Sequence, residues 1–340
     1  MENAGKIAGN YLGENKEWNN FLTTVSNNTG NRYLPLWIEN VGKNKDRCKQ
    51  CGWAAETFQG IYKGKTAVML GASPAITKQF DILRELQYDP DFVFISVASG
   101  LKNLLDNGII PKYVTVADAS PNIKRFWEDI DFTKTKGMTL LANICSHPSV
   151  LDLWQGDIKF VALWTSVGKL DKKIQKKYRP VNGCGEMFPS LTSQYNFGVA
   201  FSFLVFECPV IIFVGNELSF PSDDVEKDTY YPDRKDKKDK WKRMPHPDIY
   251  GKKVYTSYMF MALKLSLEDF LGKIGNAGWF LNCTEAGIFG VSAKYGNLPW
   301  IQQFTLKIGV TQARNIMKTG EPIYEYGSVV KPQYQNYAIA

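Results

Sequence analysis

The chain has 340 residues, of which 44% are hydrophobic and 22% charged, so it is long enough to bury a full core and typical of globular proteins. Its net charge of +7 is modest for this length; it favours anionic ligands but does not indicate nucleic-acid binding. Residues 1–18 lack the features of a secretory signal, and Glu207 and Pro209 interrupt the longest apolar stretch, 197–214. We therefore expect a cytoplasmic protein that does not span a membrane.

The six cysteines are scattered and do not form the dense framework of a small secreted domain, so we expect reduced thiols. Cys48 and Cys51 have the spacing of half a zinc site or of a redox pair. Neither a second such pair nor paired histidines follow them. We therefore favour a polar loop near a domain edge for this motif.

The chain divides into three predicted parts. Residues 1–60 are polar and rich in asparagine, with interspersed aromatics and no strand alternation, which predicts a helical N-terminal extension. Residues 61–295 carry the pattern of an α/β nucleotide-binding domain. Residues 296–340 form a C-terminal extension, whose tyrosine-rich end we expect to be extended.

The central part alternates short apolar runs with helical segments. The predicted strands are 66–70, 91–97, 113–117, 139–142, 160–163, 210–214 and 278–281, and the clearest predicted helices are 101–107, 191–207 and 257–271. This alternation predicts an α/β fold with a mostly parallel, Rossmann-like sheet and helices on both faces. The highly charged stretch 221–253 predicts a surface loop, for which a solvated insertion is favoured over a lid.

Small and polar residues follow several predicted strands, where ligands of open parallel sheets bind. They are Gly71, Ala72, Ser73 and Pro74 after the first strand, Ser99 and Gly100 after the second, Asp118 after the third, and the turn 215–217. The glycine turn allows the backbone to approach a ligand closely, and the amides at a helix N-terminus are suited to binding a phosphate. Pro74 fits a first helical turn. Strand-to-helix geometry alone is the alternative explanation of this turn.

Asp118 and Glu217 are the candidate catalytic and metal-binding carboxylates. Each comes shortly after an apolar strand, and two carboxylates at adjacent strand ends would bridge Mg²⁺ and a polyphosphate. For Asp118 the alternative role is a helix N-cap. Asn282 and Glu285, after the last strand, are predicted to complete a nucleotide pocket.

Several common catalytic motifs are missing. The sequence contains no Walker A motif, no full GxGxxG and no GxSxG nucleophile elbow, which disfavours P-loop NTPases, standard dinucleotide enzymes and α/β-hydrolases. His147 and His246 are the two histidines, so histidine-based catalysis has few candidates.

The order of motifs resembles the 6-hydroxymethylpterin diphosphokinase MptE-like family, whose other branch contains motility accessory factors thought to glycosylate flagellin. Residues 71–76 resemble its GxGPSL-type turn, and 97–118 resemble its block of helix, Gly-Ile-x-Pro, strand and Asp. Residues 210–218 are similar to its strand followed by Gly-x-Asp-Leu, and 282–287, with the helix after Tyr255-Thr256, resemble its closing blocks. The resemblance covers about residues 60–290.

The sequence departs from the family pattern at three positions of the candidate site. Ser73 replaces the second glycine of the turn, Ala75 replaces its serine, and Glu217 stands where Asp is usual. In addition, the Gly-Asn-Val that precedes a family helix is not evident in residues 193–197.

The resemblance implies a nucleotide-dependent transferase with a small-molecule or glycan acceptor. The first hypothesis is a Mg²⁺-dependent diphosphokinase that uses ATP and a hydroxymethylpterin-like alcohol. The second is a sialyltransferase-like glycosyltransferase that uses a nucleotide-activated sugar. The third, motivated by Ser73 and Ala75, is a non-catalytic binding or assembly protein that keeps the fold. We expect neither nucleic acid nor a membrane as partner, and the oligomeric state stays open.

Overall fold

A computed structural model describes residues 16–164, 188–189, 193–224 and 243–323. Eight strands form one sheet. Their bounds are β1 Thr66–Leu70, β2 Phe92–Val97, β3 Tyr113–Val116, β4 Thr139–Asn143, β5 Asp157–Val161, β8 Val210–Val214, β11 Trp279–Asn282 and β14 Gln302–Gln303. Their order in the sheet is β14-β11-β8-β1-β2-β3-β4-β5. The sheet is parallel and flanked by helices, which confirms the predicted α/β class.

Six further short strands of the described residues lie outside this sheet. They are β6 Leu163–Trp164 with β7 Phe188–Pro189, β9 Arg243–Pro247 with β10 Lys253–Ser257, and β12 Val291–Ser292 with β13 Gly296–Asn297. The helices are α1 Lys16–Cys51, α2 Ala54–Phe58, α3 Phe80–Leu86, α4 Leu101–Asp106, α5 Pro148–Leu151, α6 Gln194–Leu204, α7 Tyr258–Ile274 and α8 Leu306–Thr319.

The chain divides into two compact units. The N-terminal unit contains the described residues of 16–69 and 86–208, and the C-terminal unit contains those of 70–85 and 209–323. The division into parts at residues 60 and 295 stays a prediction.

The core of the N-terminal unit consists of apolar strand residues covered by α1, α4, α5 and the segment after β3. Every residue of β2 is buried, as expected for a parallel strand covered on both faces. Helix α6 lies very close to the sheet: a Cβ added at Gly198 would be 2.6 Å from the Met69 methyl group and 3.2 Å from the Thr115 methyl group. Glycine at this position therefore sets the distance between helix and sheet.

In the C-terminal unit, β8 is buried along its whole length and pairs in parallel with β11. Phe213 on β8 packs edge-on against Phe289, with ring centroids 5.0 Å apart. Ser257 caps α7 by accepting a hydrogen bond from the Phe260 amide, as its position before a helical pattern predicts.

Three local predictions need correction. Cys48 and Cys51 lie in the last turn of α1 and not in a loop, because Cys48 packs into the core of the N-terminal unit. Part of the charged stretch is not a loop, since β9 and β10 pair in antiparallel fashion; residues 225–242 of it lie outside the described part. Helix α8 was not predicted in the C-terminal extension, and the tyrosine-rich end after residue 323 lies outside the described residues.

Candidate functional site

The glycine turn after β1 is tied to the end of β8 through its own backbone. The amide of Gly71 donates to the carbonyl of Val214 at 2.8 Å, and that of Ser73 donates to the carbonyl of Gly215 at 3.1 Å. Two of the amides expected to hold phosphate are therefore engaged within the protein. A phosphate at this turn would depend on the Ala72 amide and on side chains, so its binding here stays a prediction.

Ser73 occupies the N-cap of the 3-10 helix Pro74–Gln79, with Pro74 in the first turn as predicted. Its hydroxyl does not cap the helix. The side chain is fully buried, and its Oγ has no hydrogen-bond partner among the described residues. A buried hydroxyl without a partner costs free energy, so this group requires a hydrogen-bond partner other than the described protein atoms.

Glu217 is a half-buried carboxylate in the loop after β8. Burial raises its pKa to about 7, although the hydrogen bond from the Ala75 amide and the positive charge of Lys78 act in the opposite direction. Ala75, one of the departures from the family pattern, thus contacts Glu217 through its backbone. A carboxylate with a pKa near neutrality is suited to exchanging a proton with a bound alcohol.

The backbone of Glu217 is held in place by the loop after β11. The amide of Ile288 donates to the carbonyl of Glu217 at 2.9 Å. Gly287 has a φ of +81°, and a Cβ at this position would lie 2.0 Å from the same carbonyl oxygen. Only glycine allows both this conformation and this close approach.

The two predicted ligand residues after β11 have structural contacts. Asn282 is fully buried; its amide donates to the Phe289 carbonyl at 3.0 Å and to Gln303 at 2.9 Å. Glu285 has a φ of +58°, and its Oε1 accepts a hydrogen bond from the Leu306 amide at 2.8 Å. These bonds shape the loop, and the predicted contacts with a nucleotide stay predictions.

Three polar residues near this loop are not among the individually predicted site residues, although Asn216 lies in the predicted turn 215–217. The backbone amide of Asn216 donates to Thr284 Oγ1 at 3.1 Å. The side-chain Nε2 of Gln79 donates to the Cys283 and Thr284 carbonyls at 2.8 and 3.2 Å. Asn216 Nδ2 and Gln79 Oε1 are buried and have no partner among the described residues. Asn216 stood next to Glu217 in the motif and so carried a signal, whereas nothing in the sequence distinguished Gln79 or Thr284.

In the N-terminal unit, Asp118 is half-buried in the loop after β3. Its Oδ1 accepts the Ser120 amide at 2.8 Å, and Ser120, not Asp118, caps the following 3-10 helix, so the N-cap alternative for Asp118 is wrong. Burial raises the pKa of Asp118, while the Ser120 bond and the charges of Arg125 and His147 act in the opposite direction. The carboxylate is therefore held in place, but the neighbouring positive charges only partly compensate its negative charge.

Ser99 and Gly100 lie in a single 3-10 turn, Ala98–Gly100, between β2 and α4. Ser99 is half-buried and Gly100 is buried. The turn is fixed by the Trp127 indole, whose Nε1 donates to the Ala98 carbonyl at 2.9 Å. The predicted role of both residues in ligand binding stays a prediction.

The assumption that Asp118 and Glu217 follow adjacent strands is wrong, because β1 and β2 lie between β3 and β8 in the sheet. Within the described ranges, no group of three or more His, Cys, Asp or Glu side chains is placed to hold a metal ion. Magnesium binding by these carboxylates stays a prediction. No helix in the described part of the chain is long and apolar enough to cross a membrane.

No curated protein matches the chain significantly. Among solved structures, it is similar to a protein described as "MAf glycosyltransferase from Magnetospirillum magneticum AMB-1", with a TM-score of 0.49 and 13% sequence identity. The match covers 81% of this chain and 40% of that protein, so the chain spans less than half of its length. A likeness of this size supports no inference about function.

The family comparison covers more than half of the chain. The model described as "6-hydroxymethylpterin diphosphokinase MptE-like" matches residues 39–223, which include the glycine turn, Asp118 and Glu217. The family is named for a diphosphokinase, and diphosphokinases are transferases. This chain belongs to the 6-hydroxymethylpterin diphosphokinase MptE-like family.

Proposed function

We propose that the protein is a nucleotide-dependent transferase that moves a diphosphoryl group from ATP to a small, hydroxymethylpterin-like alcohol. The observation that carries this proposal is Glu217, a half-buried carboxylate at the end of β8 with a pKa near 7. At neutral pH such a group accepts the proton that the alcohol loses as its oxygen attacks the β-phosphorus of ATP, while the bond from this phosphorus to the bridging oxygen of the α-phosphate breaks and AMP leaves. Family membership supports the choice of a diphosphoryl group.

Asp118 is the proposed ligand for Mg²⁺. Carboxylate oxygens are the donors that Mg²⁺ prefers, and a cation beside Asp118 would offset the burial that raises the pKa of this group. Bound Mg²⁺ would neutralise charge on the phosphates. The Ser120 amide keeps one carboxylate oxygen in a fixed position.

A glycosyltransferase that uses a nucleotide-activated sugar is the second candidate. In this candidate the same glycine turn would hold the phosphate of the nucleotide. Because the Gly71 and Ser73 amides already donate to carbonyls of the protein, the single phosphate of a CMP-activated sugar requires fewer free amides at this turn than the triphosphate of ATP. Transfer to an alcohol would again require a base, and Glu217 would fill this role.

A thermal-shift panel of ATP, CTP, CMP and UDP, each with and without Mg²⁺, distinguishes the candidates. Stabilisation by ATP that requires Mg²⁺ is the result expected for the diphosphokinase. Stabilisation by CMP or UDP without metal would exclude the diphosphokinase and favour the glycosyltransferase. No response to any of the four nucleotides would overturn both and leave a binding or assembly protein.

The role of Asp118 is tested with Asp118→Asn, which keeps the shape of the side chain and removes its charge. We expect loss of the Mg²⁺-dependent part of the nucleotide shift with little change in the melting temperature of the free protein. Asp91→Asn is the matched control, because Asp91 lies on the surface of the same unit. Equal Mg²⁺-dependent shifts in Asp118→Asn and the wild type would exclude Asp118 as a ligand.

A further inference from the structure

Helix α1 reaches the candidate site loops of the N-terminal unit through two buried asparagines. Asn40 and Asn44 are one helical turn apart, and their exposed fractions are 0% and 1%. Burial of a carboxamide is unfavourable unless it is hydrogen-bonded, so apolar packing alone does not explain why these two side chains are buried. Both side chains donate to backbone carbonyls more than 75 residues away in the sequence.

Asn40 connects the loops that follow β3 and β4. Its Nδ2 donates to the carbonyls of Ala119 and Cys145, both at 2.9 Å. Ala119 is the residue after Asp118, so this bond fixes the loop that carries the carboxylate. Asn40 thereby connects two loops that come from different strands.

Asn44 acts within the loop after β4 only. Its Nδ2 donates to the carbonyls of Ile144 and Ser146, both at 2.8 Å. The same loop is joined to that of Asp118 by the His147 amide, which donates to the Asp118 carbonyl at 3.1 Å. A single helix face therefore holds both loops through four hydrogen bonds.

These carbonyls lie beyond the strand ends and have no place in the hydrogen-bond ladder of the sheet. They need donors from elsewhere, and an apolar side chain of similar size at position 40 or 44 would leave them without these bonds. The loop conformation at Asp118 thus depends on the amide groups of α1 and not only on its apolar packing.

We propose that Asn40 and Asn44 are positioning residues that set the conformation of the Asp118 loop, which makes α1 part of the site and not only a cover of the sheet. The effect of these residues on ligand binding rests on the proposed function of Asp118. Their effect on the conformation of the loop does not depend on that function.

The test uses Asn40→Leu, which keeps the approximate volume and removes both donors. The control is Val41→Ala, since Val41 is a buried neighbour in α1 that lacks the amide. Hydrogen exchange of the Ser120 and His147 amides is measured well below the melting temperatures, because these amides donate to Asp118. We expect exchange at least about tenfold faster in Asn40→Leu than in Val41→Ala, the change that corresponds to one lost hydrogen bond.

Asn44→Leu provides an internal comparison, because it loses bonds to the loop after β4 only. We expect the exchange rate of the His147 amide to increase more, relative to the wild type, than that of the Ser120 amide in this variant. If Asn40→Leu does not fold, Asn40→Ser, which can donate to one carbonyl, replaces it, with a smaller acceleration expected at the same amides. Equal exchange in the asparagine variants and in Val41→Ala would overturn the positioning role.

Nucleotide binding with Mg²⁺ is measured on the same proteins. We expect Asn40→Leu to weaken it at least about tenfold more than Val41→Ala does. Unchanged binding alongside accelerated exchange would overturn the link to the site. If the wild type binds no nucleotide, the proposed function fails, whereas the exchange data still decide the positioning role.

Discussion

Glu217 is the residue whose chemistry depends most on its surroundings. Exposed glutamates titrate near 4.5, and burial moves the pKa of this one to about 7. Because the folded protein binds the proton more tightly than the unfolded chain, Glu217 favours folding below pH 4.5, and this contribution is lost as the pH rises through 7.

Glu217→Gln should therefore change the pH dependence of stability. Relative to the wild type, the variant should gain about 2 kcal/mol in the free energy of unfolding between pH 5 and pH 8, since glutamine does not ionise. Urea denaturation at both pH values measures this difference. Glu85→Gln, at an exposed helical position in the same unit, is the control and should show no such gain. A pH-independent difference for Glu217→Gln would contradict the raised pKa.

The sequence singles out Asp118 and Glu217 as candidate site residues because a carboxylate shortly after an apolar strand is conspicuous. It did not identify Gln79 or Thr284, since their roles arise from hydrogen bonds between loops more than 200 residues apart. The role of Asn282 as a fully bonded buried amide was also beyond sequence reasoning. Its partners Phe289 and Gln303 meet it only in the folded chain.

At the scale of elements, the loop after β11 supports the loop after β8 through one glycine. Gly287→Ala would place a methyl group 2.0 Å from the Glu217 carbonyl oxygen, so the two loops would have to separate. We expect a loss of about 3 kcal/mol or more in the free energy of unfolding, together with loss of nucleotide binding.

Gly320→Ala separates the steric cause of this effect from the backbone cause. Gly320 has nearly the same φ, +79°, but nothing within 4 Å of an added Cβ. It should cost only about 1 kcal/mol, which is the conformational penalty alone. Similar losses for the two variants in chemical denaturation would show that the contact with Glu217 is unimportant.

The strands were predicted better than the elements near the C-terminus. β1 and β8 have the predicted bounds because each is a continuous apolar run next to a glycine. The sequence of α8 has apolar residues at helical spacing, at positions 306, 310, 313 and 316, and all four are buried; the tyrosine-rich residues that follow favour an extended chain and mask this helical pattern. β14 is two glutamines long and exists only through its pairing with β11, which no sequence pattern encodes.

At the scale of the whole molecule, ligand binding and stability are linked. A nucleotide at one hundred times its dissociation constant should raise the free energy of unfolding by about 2.7 kcal/mol. The melting temperature should therefore increase with the logarithm of nucleotide concentration above that constant. Calorimetry at several concentrations measures this dependence, and a shift that does not grow with concentration would contradict specific binding.

The sequence by itself determined the fold class and the family and singled out the two carboxylates as candidates, because apolar runs, glycine turns and their order are local properties of the chain. Tertiary structure decided the surroundings of these groups. It showed that the Gly71 and Ser73 amides of the glycine turn are engaged, that burial moves the pKa of Glu217 towards neutrality, and that Asn40 donates to the Asp118 loop while Asn44 donates to the loop after β4. Each of these depends on which distant segments meet, and this is fixed only when the strands assemble into a sheet.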